Sequence, residues 1–294
     1  MEDSSGKQGS LFDQLLEYFD VAIAQDEGHL AEVFHVRYRV YCEEFGYEPK
    51  EAFANREESD EFDERSLHCM IRHRGSGRVA AIARVVTVAG NQKLPLELHC
   101  GDHLDPDFMA RFSNRRETIC EISRLAVDGD FRRRRGEQES RYGDTEALSL
   151  EASERRTFPL LGLSAMLSSF ACASLIGRPN LVAIMEPFLP VILRRSGIYL
   201  TRFGEDFEHR GKRAPYYLDT TDFVDGMRDD VRDFYTRIRD TLSQFEVPEA
   251  SGPQTRTTPT GAPPTGGTAA QSGTGLPRAL ALPGAGPMGA FVPT

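Results

Sequence analysis

Four short stretches place charged and aromatic side chains at spacings that chemistry uses. RYRVYCEEFGY sets Arg37 four residues before Tyr41 and ten before Tyr47. ESDEFDERSLH sets Asp60 and Asp63 three apart, IARVV carries Arg84 inside an apolar run, and EISRL carries Glu121 and Arg124 as E-x-x-R inside another. A charge within such a run is unlike ordinary strand residues and calls for a partner. Glu121 can be a structural carboxylate paired with Arg124 or Arg84, or a group that takes up a proton. Arg84 and Arg124 suit fixed bidentate pairs and therefore orienting roles. Asp60 and Asp63 either hold an ammonium group or belong to a solvated acidic loop with Glu57, Glu58, Glu61 and Glu64.

Other chemistries lose support. No G-x-G-x-x-G or G-x-x-x-x-G-K-[ST] is present, which removes the nucleotide-cofactor motifs. No Ser-His-Asp or Cys-His arrangement stands out. His99, Cys100, Asp102 and His103 lie close together but lack a second ligand pair at metal-site spacing, so no metal is assigned. Arg132, Arg133, Arg134 and Arg135 form the most basic run in a chain of net charge -10. That run suits a phosphate or an acidic partner surface, or is a solvated loop. The acidic balance speaks against nucleic acid.

The elements that would position these residues can be read coarsely. Helices are predicted over residues 11–19, 29–45, 106–112, 160–176, 188–196 and 221–245, from apolar spacing and Gly or Pro stops. Strands are predicted over 20–25, 67–73, 79–88, 118–127, 181–185, 198–203 and 215–219, the second and third joined at Gly75-Ser76-Gly77. This order predicts an α/β (α+β) fold with a mixed, mostly antiparallel twisted sheet and helices on both faces. One domain is predicted over residues 11–247, with a mobile charged insertion at 132–157. Residues 248–294, rich in Pro, Gly and Thr, read as a disordered tail. The hydrophobic share of 39% and charged share of 27% suit a globular domain. Five scattered cysteines, no apolar leader and no span long enough for a bilayer predict a reduced, cytoplasmic protein without an integral membrane segment.

The residues quoted at Arg37, Tyr41, Tyr47, Asp60, Asp63, Arg84, Glu121 and Arg124 resemble, in order and spacing, the signature of acyl-homoserine-lactone synthases. LVAIMEPFLPVILRRSGI, HRGKRAPYYLD and SRLAV…FRRRRGE resemble a narrower group, the acyltransferases associated with PEP-CTERM/exosortase systems, which are similar to N-acyl amino acid synthases. The resemblance covers residues 20–245 and implies a GNAT-like fold with splayed central strands. It implies acyl transfer from acyl carrier protein or coenzyme A to the amine of a small acceptor, with the thioester as co-substrate and no tightly bound cofactor. In that reading Glu121 is the general base, through a water, and Arg37 either recognises a substrate carboxylate or pairs with an acidic partner. Tyr41 and Tyr47 line the pocket, Asp60 and Asp63 hold the ammonium, and Arg84 and Arg124 orient. The donor's pantetheine arm lies between the strand ending near Val127 and the strand 181–185. Arg132, Arg133, Arg134 and Arg135 meet its phosphate or the carrier protein, with Arg115, Arg116, Arg194 and Arg195 able to extend the patch. Met166, Phe170, Met185, Phe188 and Leu189 line the acyl pocket. The chain has no tryptophan, which the synthases usually carry. An autoinducer synthase therefore ranks second, and a non-catalytic carrier-binding module third.

Overall fold

The computed structural model describes residues 10–132, 160–221 and 223–247. Helix α1 (Leu11–Tyr18) opens with Ser10, whose hydroxyl accepts from the Asp13 N–H while Asp13 reaches back to the Ser10 N–H. That reciprocal cap fixes where the helix begins. Strand β1 (Phe19–Ile23) follows directly, with alternate residues buried. Helix α2 (Glu27–Arg37) is capped by Asp26 and then widens into a π-helical stretch, Tyr38–Glu44. Wider turns of this kind recur at functional sites.

Strands β2 (Ser66–His73), β3 (Val79–Thr87) and β4 (Ile119–Val127) form an antiparallel meander with β1. Between β3 and β4 lie the short helices α3 (Pro95–His99) and α4 (Pro106–Ala110), and α5 (Gly129–Arg132) follows β4. Helix α6 (Leu161–Leu175) leads to β5 (Asn180–Met185), which pairs parallel with β4. Then come α7 (Leu189–Arg195), β6 (Thr201–Arg202), β7 (Phe207–Glu208), β8 (Lys212–Asp219) and α8 (Asp229–Leu242). The strand order is β1-β2-β3-β4-β5-β8-β6, with β7 on β8. Every pairing except β4–β5 is antiparallel.

The period of two sorts the strand residues. Cys69, Ile71, Ala81, Ala83, Val85, Cys120 and Ile122 join the core beneath α1, α6 and α8. Met70, Ile82 and Ala126 face Val33, Val36 and Val40 on the other side. His68, Arg84 and Glu121 fall on that second face by the same alternation, so α2 and the π-helical stretch cover the polar residues. Helix α6 is buried nearly all round despite its serines, because Ser164, Ser168 and Ser169 donate to carbonyls of their own helix at 2.7–2.8 Å.

Several expected boundaries move. The helix read through to residue 45 changes type at Tyr38. The strand expected over 198–203 shrinks to Thr201–Arg202, since Gly204 leaves β8 to bridge with Leu104. The closing helix starts at Asp229, after a 3-10 turn at Phe223–Gly226. Helix α3 was not foreseen, although Pro95 at its first turn and Glu97 bonded back to the Leu94 N–H mark it. Among the described residues no helix is long and apolar enough to cross a membrane. Most of the insertion and all of the tail, residues 248–294, lie outside the described residues.

Candidate active site

The parallel pairing of β4 and β5 covers only three residue pairs, from Ile119↔Asn180 to Glu121↔Val182. Past Glu121 the strands part, while β4 runs on to Val127 and β5 to Met185. Strand β4 also carries a bulge there. Against β3 its register jumps from Ser123 to Ala126 while β3 advances only from Arg84 back to Ile82. Arg124 sits in the bulge at φ +50°, a left-handed backbone disfavoured for a residue with a Cβ. The Tyr41 hydroxyl donates to the Leu125 carbonyl at 3.0 Å and pins the bulge to the π-helical stretch. The bulge thereby re-aims the Arg124 side chain.

Three arginines and three carboxylates interlock beside it. Glu58 accepts from Arg37 Nε and, at 3.0 Å, from Arg124 Nη2. Asp60 accepts from Arg84 at 2.6 Å and from Arg124 at 3.2 Å. Asp63 accepts from Arg37 at 2.6 Å and from Arg84 at 2.9 Å. Arg84 Nε also donates to the Ser123 hydroxyl at 3.0 Å. Burial pushes the Asp63 carboxyl up, but Arg37 and Arg84 more than reverse this and hold it at about 2. Burial alone would lower the Arg124 value, and Glu58 raises it well above the ordinary one.

Glu121 stands apart from this network. It is 3% exposed, and its Oε2 accepts from the Leu96 N–H of α3 at 2.8 Å. Among the described residues no arginine hydrogen-bonds it; of its two readings, the structural pairing with Arg124 or Arg84 does not form, because Asp60, Asp63 and Glu58 take both guanidinium groups. Burial therefore dominates and pushes the Glu121 carboxyl up to about 8.

A cavity of about 570 Å³ opens between the parted strands, and Glu121, Asp60, Arg84, Arg124, Tyr41 and Tyr47 line it. Val127, Arg132, Phe188 and Leu189 extend its wall toward α5 and α7. Arg132 pairs with Glu44 and lies over the Phe45 ring at 5.0 Å. Arg133, Arg134 and Arg135 lie outside the described residues. Arg37 and Asp63 do not reach the wall. Arg37 is fully buried between Glu58 and Asp63, the acidic-partner arrangement of its two expected ones. The same arginines occupy Asp63, leaving Asp60 as the member of the acidic pair at the cavity. Met166, Phe170 and Met185 line a separate apolar void of about 20 Å³ beneath Ile122, whose side chain borders both spaces.

Several residues escaped the sequence reading. Glu58 is the shared partner of two arginines, yet it sits among five other acidic residues from Glu57 to Glu64 with nothing to mark it. Cys100, His99, His209, Arg210 and Arg213 also line the cavity. Burial holds the Cys100 thiol up at about 11, so it is not a thiolate nucleophile near neutral pH. Burial, reinforced by Arg210, lowers the His209 imidazole. No group of metal-ligating side chains forms among the described residues.

Comparison with known proteins follows the same lines. A family model described as an acetyltransferase (GNAT) domain matches residues 36–139. No curated protein matches the chain. Among solved structures, the coenzyme-A-dependent acyl-homoserine lactone synthase BjaI, with S-adenosylmethionine and isopentyl-CoA, is similar at 17% identity and TM-score 0.50, covering 75% of this chain and 89% of that one. TofI, in a ternary complex with an inhibitor and MTA, gives 19%, 0.46, 69% and 91% for the same quantities. FeeM, an N-acyl amino acid synthase from uncultured soil microbes, gives 14%, 0.46, 71% and 94%. The chain thus carries a GNAT acetyltransferase domain match within a GNAT-like fold that is similar to that of an acyl-homoserine lactone synthase.

Proposed function

We propose that the protein is an N-acyltransferase that moves a fatty acyl group from an acyl carrier protein or coenzyme A thioester to the amine of a small acceptor. The observation that carries this reading is Glu121: a buried carboxyl group that, among the described residues, no arginine hydrogen-bonds, on the cavity wall where β4 and β5 part. An extended thioester arm fits between two strands that have released their mutual hydrogen bonds. The acceptor arrives as an ammonium and must lose a proton before it can attack. A carboxyl held at about 8 is matched to that task near neutral pH.

The step balances without a covalent enzyme intermediate. The amine nitrogen bonds to the thioester carbonyl carbon, the C–S bond breaks, and the products are an amide and a free thiol. On becoming an amide the ammonium loses two protons: Glu121 takes one, directly or through one water, and the other goes to the departing sulfur. Asp60, Arg84 and Arg124 orient the acceptor, and Tyr41 and Tyr47 wall it in. The narrower roles of Val127, Arg132 and Phe188 in donor binding belong to the same reading, as does entry of the acyl chain past Ile122 toward Met166, Phe170 and Met185.

The test compares lipid extracts of cells expressing the wild type and Glu121→Gln by mass spectrometry, with thiol release from purified protein as the second readout. We expect an N-acylated species with the wild type alone and a loss of about 10²–10⁴ in kcat for the variant. Unchanged turnover in Glu121→Gln overturns the base assignment. A homoserine lactone product would instead select the autoinducer reading. Carrier-protein binding without any turnover would select the non-catalytic one.

A further inference from the structure

The stretch His209-Arg210-Gly211-Lys212-Arg213 has no part in the proton transfer above, yet His209, Arg210 and Arg213 line the same cavity. Its first three residues form the turn between β7 and β8, and Lys212 and Arg213 begin β8. Arg210 holds φ +54° and Gly211 follows at +97°. The first value is disfavoured for a residue with a Cβ, and retained strain of this kind points to work for the side chain it aims. That aim is fixed from several sides. The Arg210 guanidinium lies over the Tyr47 ring at 5.8 Å and pairs through Nη2 with Glu48. His209 stacks on His99 at 6.5 Å, and Arg213 donates to the carbonyls of His209 and Arg210, both at 3.3 Å.

Two lining arginines have a single carboxylate partner among the described residues, Arg132 with Glu44 and Arg210 with Glu48, and of these Arg210 is the one next to His209, which stacks on α3 beside Glu121. Arg84, Arg124, Arg132, Arg210 and Arg213 face three lining carboxylates, Asp60, Glu121 and Glu186, in a chain of net charge -10. Arg84 is held by Asp60 and Asp63, and Arg124 by Glu58 and Asp60. Arg213 meets Glu186 and two carbonyls. Arg210 meets one carboxylate through one nitrogen among the described residues and stays 28% exposed. A guanidinium carries five donors in a plane, so most of this fork remains open to a ligand.

We propose that Arg210, backed by His209 and Arg213, binds a carboxylate of the acceptor, on the same molecule whose amine meets Glu121. This rests on the acyl-transfer reading and narrows its substrate class to amines that carry a carboxylate, as amino acids do. Helix α3 joins the two ends: its Leu96 N–H holds Glu121, and His99, three residues on, stacks on His209. An acceptor without the anion would leave the open part of the Arg210 fork to water and forgo the charge-assisted pair, so the site prefers the acceptor that carries it.

The test is calorimetric titration of the full chain with N-dodecanoylglycine and N-dodecanoylethanolamine, which share chain and amide and differ at the carboxylate. The wild type should bind the acid on the order of tenfold tighter, the scale of a charge-assisted pair. Arg210→Gln should bring the two ligands within about twofold, Arg210→Lys should keep part of the preference, and Glu121→Gln should keep all of it. Equal binding by the wild type, no binding of either ligand, or a preference that survives in Arg210→Gln overturns the proposal. A third arm compares 4′-phosphopantetheine with pantetheine. An Arg210-dependent preference for the phosphate places the donor there and also overturns the assignment. Titration needs no turnover, so a carboxylate preference in a protein that transfers no acyl group separates failure of the catalytic reading from failure of this one.

Discussion

Asp63 and Glu121 show what neighbours do to one functional group. Both are buried, yet arginines hold the first at about 2 while burial drives the second to about 8. The kinetic consequence for Glu121 has a definite sign. A base works when deprotonated, so the rate should rise about tenfold per pH unit below 8 and level off above it. A pH–rate profile of thiol release checks this, and a flat profile from pH 6 to about 9 would count against it. Asp63 serves stability instead. Its lowered value means that its contribution is present above the ordinary carboxylate range and lost as pH falls toward 2. Asp63→Asn would leave Arg37 and Arg84 short of a buried partner and should cost about 3–5 kcal/mol in urea unfolding. The side chains of this site were legible as types and spacings, but their pairing was not. EISRL suggests that Glu121 and Arg124 pair, whereas the bulge turns Arg124 toward Glu58, which no spacing rule distinguishes from its acidic neighbours.

At the level of elements, the sequence carried the sheet better than its edges. Continuous apolar runs gave β3, β4, β5 and α6, because both their faces are buried. The strand expected over 198–203 kept only the two residues of β6, and the two-residue β7 left no periodic trace. The glycines show how such contacts set an element's end. Helix α7 stops at Gly197, φ +81°, where an added Cβ would lie 2.1 Å from the Gly226 carbonyl and 2.8 Å from the Met227 Cα. Gly177 ends α6 at φ +71° with nothing within 4 Å of the corresponding position. Gly177→Ala should therefore cost about 1 kcal/mol for backbone strain alone. Gly197→Ala adds a backbone collision and should cost about 1–3 kcal/mol more. Denaturation midpoints of the two variants measure the difference, and equal losses would mean the approach at Gly226 relaxes freely.

Over the whole molecule, the carboxyl proposed as base has a thermodynamic cost. The Glu121 carboxyl is raised from 4.5 to about 8, so the native state keeps a proton that the unfolded chain releases. Its contribution is complete below 4.5 and is lost as pH rises through 8. Glu121→Gln should melt above the wild type at pH 9 by an amount on the order of a few kcal/mol, and the gap should close toward pH 5. Thermal unfolding across that range reads it directly. The sheet has a second molecule-wide property. Strands β1 to β4 are stitched to one another along most of their length, as β5 is to β8, but the two groups meet through three parallel pairs. A sheet so joined behaves as two cooperative units sharing one short seam. In hydrogen exchange, amides of the β2–β3 ladder should be protected by nearly the full unfolding free energy, whereas those at 119–121 and 180–182 that bridge β4 and β5 should open at lower cost. The crevice that admits a ligand is then also the line along which the domain first yields.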